Sequence, residues 1–242
     1  MKILAVADTE LPYLYEYYNP QRTKGVDLII GCGDLKAKYL EFLTTVVNKP
    51  LLYVNGNHDT QFKQKPPEGC TCIDGRMYEY KGVRFLGLGG SMRYNTSPFM
   101  YTERQMNRRI QQVRPKVRLY EGFDVLVAHA PAAGYGDLDD LPHMGFDCFN
   151  RLLEDYKPAF MLHGHVHKEY GEFQAVREHP CGTKIINCYG YQIVDIPDEI
   201  ITERSKWAKR RIRMYQYLEY RKGEEFDAST YLAGSGPWPG GG

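Results

Sequence analysis

The sequence predicts an α/β fold built on a parallel sheet, and three observations carry that reading. Apolar runs at residues 2–7, 27–30 and 51–54 each have the length of a buried strand, and a helical stretch separates the later pair. Each run ends in residues that can hold a cation or move a proton: Asp8 with Glu10, Asp34, and Asn57 with His58 and Asp59. Ligands of open α/β sheets gather outside the carboxyl ends of their strands, so three such endings in sequence order argue for one rim and for β-α-β topology.

In chain order, Lys2–Ala7 delivers Asp8-Thr9-Glu10, whose two carboxylates share a face if the strand geometry continues. The same residues also read as a helix N-cap followed by Pro12 in a first turn, and both readings stand at this point. A short aromatic helix is expected over Tyr13–Tyr18. The second run ends in Gly31-Cys32-Gly33-Asp34, where glycines permit close backbone approach. A helix over Lys36–Asn48 presents Tyr39, Leu40, Leu43, Val46 and Val47 on one face, and Pro50 closes it. The third strand runs into Gly56-Asn57-His58-Asp59.

After Asp59 the pattern changes. Ile73–Tyr80, a Lys81-Gly82 turn and Val83–Leu88 read as an antiparallel hairpin, and Gly89-Gly90-Ser91 opens a loop holding Arg93 and Tyr94. The charged segment Thr102–Leu119 contains Pro115, which predicts two helices or one kinked helix, with its arginines as a solvated face. Asp124–Ala128 is a further buried strand ending in His129, and a helix over Phe146–Tyr156 follows a loop that carries Asp137, Asp139, Asp140 and His143. Ala159–Leu162 then ends in His163-Gly164-His165-Val166-His167, and two of those three imidazoles are expected to be ligands. Strands near Gly171–Arg177, Lys184–Asn187 and Gln192–Ile196 are expected to form a second sheet.

A helix over Pro197–Arg221 carries a basic cluster at Lys206, Lys209, Arg210, Arg211 and Arg213, and is expected to pack through Ile200, Ile201, Trp207, Ile212, Tyr215 and Leu218. The division is therefore residues 1–197 as one domain, 198–222 as a basic amphipathic helix packed on it, and 223–242 as a flexible Gly- and Pro-rich tail. No internal repeat is present.

Composition narrows the function classes. The 242 residues are 43% hydrophobic and 25% charged, those of a globular chain with a substantial core. A net charge of +1 gives no global attraction for nucleic acid or an anionic membrane, so the basic helix alone leaves nucleic acid open as a partner. No run reaches the ~18 apolar residues of a membrane span. The 6 cysteines lack disulfide spacing and no leader precedes the first strand, which predicts a cytoplasmic protein. Cys70-Thr71-Cys72 lacks the spacing of half a zinc site and reads as a loop.

Five strand ends thus supply Asp8 with Glu10, Asp34, Asn57 with His58, His129, and His165 with His167. In Gly33-Asp34, Gly56-Asn57-His58-Asp59, His129 and Gly164-His165-Val166-His167, and in their order, the chain resembles the calcineurin-like metallophosphoesterases over about residues 1–196. That resemblance implies a four-layer α/β/β/α sandwich of two mixed sheets flanked by helices. It implies a phosphodiesterase or small-molecule phosphatase that uses two divalent ions to activate water for in-line attack on a small phosphoester. Asp34 would bridge the ions, Asp8 and His167 would hold one with Glu10, and Asn57, His129 and His165 would hold the other. His58 would protonate the leaving group or stabilise charge at phosphorus, with Asp59 orienting it. Arg93 and Tyr94 are candidates for substrate contacts.

The first block departs from the family pattern, since Asp8-Thr9-Glu10 has Glu where that family has His. A carboxylate there makes the site harder, which favours Mn, Fe or Mg over Zn, with Mn or Fe preferred and Mg, Ni and Zn remaining as alternatives; alternatively Glu10 reaches only a water beyond the ligand shell. A catalytically weak binding scaffold of the same fold is the competing expectation. Oligomeric state is not legible.

Overall fold

The computed structural model describes residues 1–170, 173–201 and 206–221, with side chains described to residue 215. Strands β1 (Lys2–Ala7), β2 (Leu28–Gly31), β3 (Leu51–Tyr53) and β4 (Thr71–Cys72) run parallel in one sheet, with helix α1 (Ala37–Val47) in the crossover from β2 to β3. Asn48 ends α1 in the left-handed region at φ 52, a conformation Asn adopts readily. Strands β5 (Met77–Tyr80) and β6 (Val83–Leu88) form the expected antiparallel hairpin, and Lys81 and Gly82 both take positive φ in its turn.

Two short strands, β7 (Ser91–Met92) and β8 (Met100–Tyr101), bracket the loop carrying Arg93 and Tyr94. Helix α2 (Glu103–Leu119) follows, opened by a reciprocal pair of hydrogen bonds between Thr102 and Gln105. Then come β9 (Val125–Ala128), α3 (Asp147–Tyr156), β10 (Phe160–His163), β11 (Val176–Glu178), β12 (Lys184–Asn187), β13 (Gly190–Asp195) and α4 (Lys206–Arg221).

The two large sheets have strand orders β13-β1-β2-β3-β4 and β11-β12-β10-β9-β6-β5, and each mixes parallel with antiparallel pairs. Alternation along the strands builds three apolar layers. Ile3, Ala5, Leu28 and Ile30 face Phe85, Val125, Val127 and Leu162 between the sheets. Leu4, Val6 and Ile29 turn outward onto Tyr39, Leu40 and Leu43 of α1. Leu86, Leu126 and Met161 turn outward onto Met106, Ile110 and Val113 of α2 and Phe149 and Leu152 of α3. The result is the four-layer α/β/β/α sandwich. No helix among the described residues is long and apolar enough to cross a membrane.

Several local expectations are corrected. Tyr13–Tyr18 is not a helix; single 3-10 turns occur at Pro12–Leu14 and Pro20–Thr23, because a proline opens each turn and too few residues lie between them to continue one. The last strands do not form one sheet together. β11 and β12 extend the second sheet, whereas β13 returns to pair antiparallel with β1 from Lys2↔Asp195 to Ala7↔Gly190. Apolar alternation specifies a face, not a partner, so both placements satisfied the same pattern.

Pro115 lies inside a single α2, removing only one amide donor. Of the α2 arginines, Arg104, Arg108 and Arg118 are exposed, but Arg109 pairs with Asp74 and the Gly89 carbonyl and Arg114 pairs with Asp155. The Cys70-Thr71-Cys72 loop contains the short strand β4.

The helix expected over Pro197–Arg221 is a 3-10 turn at Asp198–Ile200 followed by α4. It packs through Ala208 and Ile212, while Trp207 lies off that stripe and is 69% exposed beneath the Arg211 guanidinium. Leu218 and the tail at 223–242 lie outside the residues whose side chains are described.

Candidate metal centre

Each site side chain sits at a strand end that the backbone bends sharply. Asp8, Asp34 and His165 follow β1, β2 and β10 with φ of 63, 56 and 71, so the chain turns out of the sheet and aims each side chain along the rim. The Asp8 amide donates to the Gly33 carbonyl, tying the ends of β1 and β2. The His165 amide donates to the Asp8 carboxylate at 2.9 Å and 3.0 Å, tying one sheet to the other. Such crowding explains two glycines: a Cβ at Gly164 would lie 2.5 Å from an Asp8 carboxylate oxygen, and one at Gly56 would run into the Asp34 carboxylate.

Asp34, His129 and His165 place one ligand atom each within 4.8 Å of one another. His129, fully buried, has Nδ1 2.8 Å from the Cys32 carbonyl, which fixes a proton on that nitrogen and points Nε2 toward Asp34 Oδ2 at 3.2 Å and Asn57 Oδ1 at 3.0 Å. Burial opposes a charged imidazole there, but the Asp34 carboxylate outweighs it and raises His129 to about 9. Burial opposes the charged form of Asp34 as well, and the same pairing overcomes it and lowers Asp34 to about 2.

His165 is the opposite case. Burial and then the neighbouring His129 lower it to about 3, so it is a neutral ligand at neutral pH. Its Nε2 lies 2.7 Å from the Pro142 carbonyl, which leaves the lone pair on Nδ1. Asp8 is 1% exposed at its side chain and has Oδ1 3.8 Å from His167 Nε2. All these donors are oxygen or imidazole nitrogen, several of them buried, and together they fit divalent cations.

His58 and Asp59 diverge. The His58 backbone amide donates to Asp34 Oδ1 at 2.8 Å while its ring is exposed at the rim. Asp59 is buried and Oδ2 accepts the amides of Gly56 at 2.7 Å and Asp34 at 2.9 Å. No hydrogen bond among the described residues joins Asp59 to the His58 ring, so the expectation that Asp59 orients His58 is corrected: Asp59 shapes the backbone that carries Asp34. Burial and the nearby Asp34 charge raise Asp59 to about 7.

Glu10 is engaged by Lys36 at 3.2 Å rather than placed among the ligand atoms that meet. Tyr94 reaches the site, accepting from Asn57 Nδ2 at 3.3 Å, whereas the exposed Arg93 donates from Nε and Nη2 to the Met100 carbonyl. Several residues at the mouth escaped sequence reasoning. Tyr170 stacks on His167 with ring centroids 4.9 Å apart, Tyr189 lies 4.7 Å from the same ring, and His143, held by Asp140, lies 5.3 Å from the His165 ring. His143 was visible only as a loop residue, and the tyrosines had no motif.

A family model described as calcineurin-like phosphoesterase matches residues 1–169. The chain is 23% identical over 201 residues to the UPF0046 protein C25E10.12 of Caenorhabditis elegans, covering 69% of each. A solved structure of a hypothetical protein from Thermus thermophilus is similar with a TM-score of 0.47 and 18% identity, over 93% of this chain and 86% of that one.

Proposed function

The chain belongs to the calcineurin-like phosphoesterase family, and from the centre its strand ends build we propose that it hydrolyses small phosphoesters with two divalent ions. The observation that carries this reading is the meeting of Asp34, His129 and His165 from three different strand ends. In this reading Asp34 would be shared by both ions, Asp8 and His167 would hold one, and Asn57, His129 and His165 would hold the other. The ions supply Lewis acidity toward phosphoryl oxygens and water.

The chain's own residues do the rest. Asp59 holds the Gly56 and Asp34 amides, so the Asp34 carboxylate needs no rearrangement to receive a cation. Gly56 and Gly164 leave the space that the carboxylates occupy. His58, exposed at the same strand end with its ring unspent on protein hydrogen bonds among the described residues, donates a proton to the leaving oxygen. The Tyr94 hydroxyl, beside Asn57, offers a hydrogen bond to the ester.

Glu10 held by Lys36 favours the alternative of a catalytically weak scaffold, because the side chain in the family's second position is otherwise occupied. His58→Ala separates the two. For the Mn-loaded enzyme, hydrolysis of bis-nitrophenyl phosphate should fall about 10²-fold with unchanged thermal stability, since His58 is exposed. Equal rates in the two proteins would remove His58 from the mechanism, and no turnover in either would favour the scaffold.

A further inference from the structure

A cleft beside the metal centre is built from residues that no strand-end motif contains. It opens to solvent and encloses about 350 Å³ when that solvent is counted, and His167, Tyr170, Phe173, Gln174, Arg177 and Asn187 are among its lining residues. The lining therefore includes both a side chain of the metal centre, His167, and a cation, Arg177.

Arg177 is the unusual member. Its Nε is buried with no hydrogen-bond partner, and no ion pair engages its guanidinium among the described residues. A buried donor left unmade is costly, and a guanidinium is a planar fork suited to carboxylate or phosphate oxygens. The acidic residue of the lining, Asp137, does not serve it: its oxygens accept the Gly134 amide at 2.8 Å and the Gly145 amide at 3.1 Å. Asn187 likewise spends Nδ2 on the Val166 carbonyl. The lining also carries aromatic rings, Tyr170 stacked on His167 and Phe173 edge-on to Tyr189.

We infer that this cleft binds the part of the substrate remote from the reacting phosphorus, and that this part carries a second anionic group, carboxylate or phosphoryl, which Arg177 receives. The inference rests on the phosphoesterase reading for the position of the reacting phosphorus. The aromatic rings suit a planar spacer between the two anions, and acceptor oxygens on the ligand would give the guanidinium the ion-pair partner it lacks among the described residues.

Binding tests this apart from turnover. Phenylphosphonate, its 3- and 4-carboxyphenyl analogues and benzene-1,4-bisphosphonate cannot be hydrolysed, and calorimetry on the Mn-loaded protein reads their affinities. At least one doubly anionic ligand should bind roughly 10-fold or more tighter than phenylphosphonate. Arg177→Gln should erase that advantage and Arg177→Lys should keep part of it, with thermal stability unchanged in both because the Arg177 side chain has no hydrogen bond or ion pair to lose among the described residues. The carboxylate and bisphosphonate arms show which anion the cleft prefers. Equal affinity for all four ligands, or an advantage that survives in Arg177→Gln, overturns the inference. Absence of bis-nitrophenyl phosphate hydrolysis in the unmodified protein would instead count against the phosphoesterase reading.

Discussion

Asp34→Asn should lower phosphoester hydrolysis by about 10³-fold or more and strip the protein of bound metal, while leaving it folded. Asp34 is the side chain on which the centre converges: Oδ2 lies 3.2 Å from His129 Nε2, and Oδ1 accepts the His58 amide at 2.8 Å. An amide of nearly the same shape keeps one oxygen for that backbone donor but presents NH2 or a neutral oxygen where two cations would share a charge. The fold does not depend on the charge, because the strand-end turn is held from the other side by Asp59. Metal content after dialysis, read by elemental analysis alongside turnover of bis-nitrophenyl phosphate, decides the matter. Full metal occupancy with unimpaired turnover would show that Asp34 is not the shared ligand.

Arg84→Met should cost about 3–5 kcal/mol of stability, although the change is far from the metal centre. Arg84 and Asp124 are 8% and 6% exposed and meet as a bidentate pair through one guanidinium edge, with Nε 3.0 Å from Oδ2 and Nη2 2.5 Å from Oδ1. The Arg84 amide adds a bond to the same carboxylate, and Nη1 donates to the Tyr120 and Glu121 carbonyls after α2. Methionine fills the space but leaves a buried carboxylate and two carbonyls without that donor. The double change Arg84→Met with Asp124→Leu should recover part of the loss, because no buried charge is then stranded. Urea unfolding of the three variants measures this. A single-variant loss under about 1 kcal/mol would mean that water replaces the guanidinium.

The outcomes separate what local chemistry encodes from what only packing decides. The strands ending at Asp8, Asp34, His129 and His165 were legible because an apolar run followed by a polar ligand is a local signature, and the topology put those ends on one rim. Asp59 was misassigned because its neighbour in sequence is His58, whereas the bend after β3 turns its carboxylate back under Gly56 and Asp34. Glu10 carried the right chemistry, but Lys36 from the segment before α1 reaches it. Nothing local could mark Arg177, since β11 is an edge strand of the second sheet and its relation to His167 exists only once the β12 neighbour is placed. Trp207 failed for a related reason: a helical wheel shows which residues share a face, but not how wide a stripe the neighbour covers.

The backbone at Asp8, Asp34 and His165 bears on how the protein could change over generations. Among the described residues seven non-glycine positions have positive φ; three carry the centre, and the others lie in helix ends and the β5–β6 turn. Each such conformation costs on the order of 1 kcal/mol or more that glycine would not incur. A library selected only for soluble expression should therefore gather glycine at 8, 34 and 165, and one selected for hydrolysis should purge it. Sequence drift after loss of activity would have a direction, and glycine at those three strand ends would be the trace it leaves.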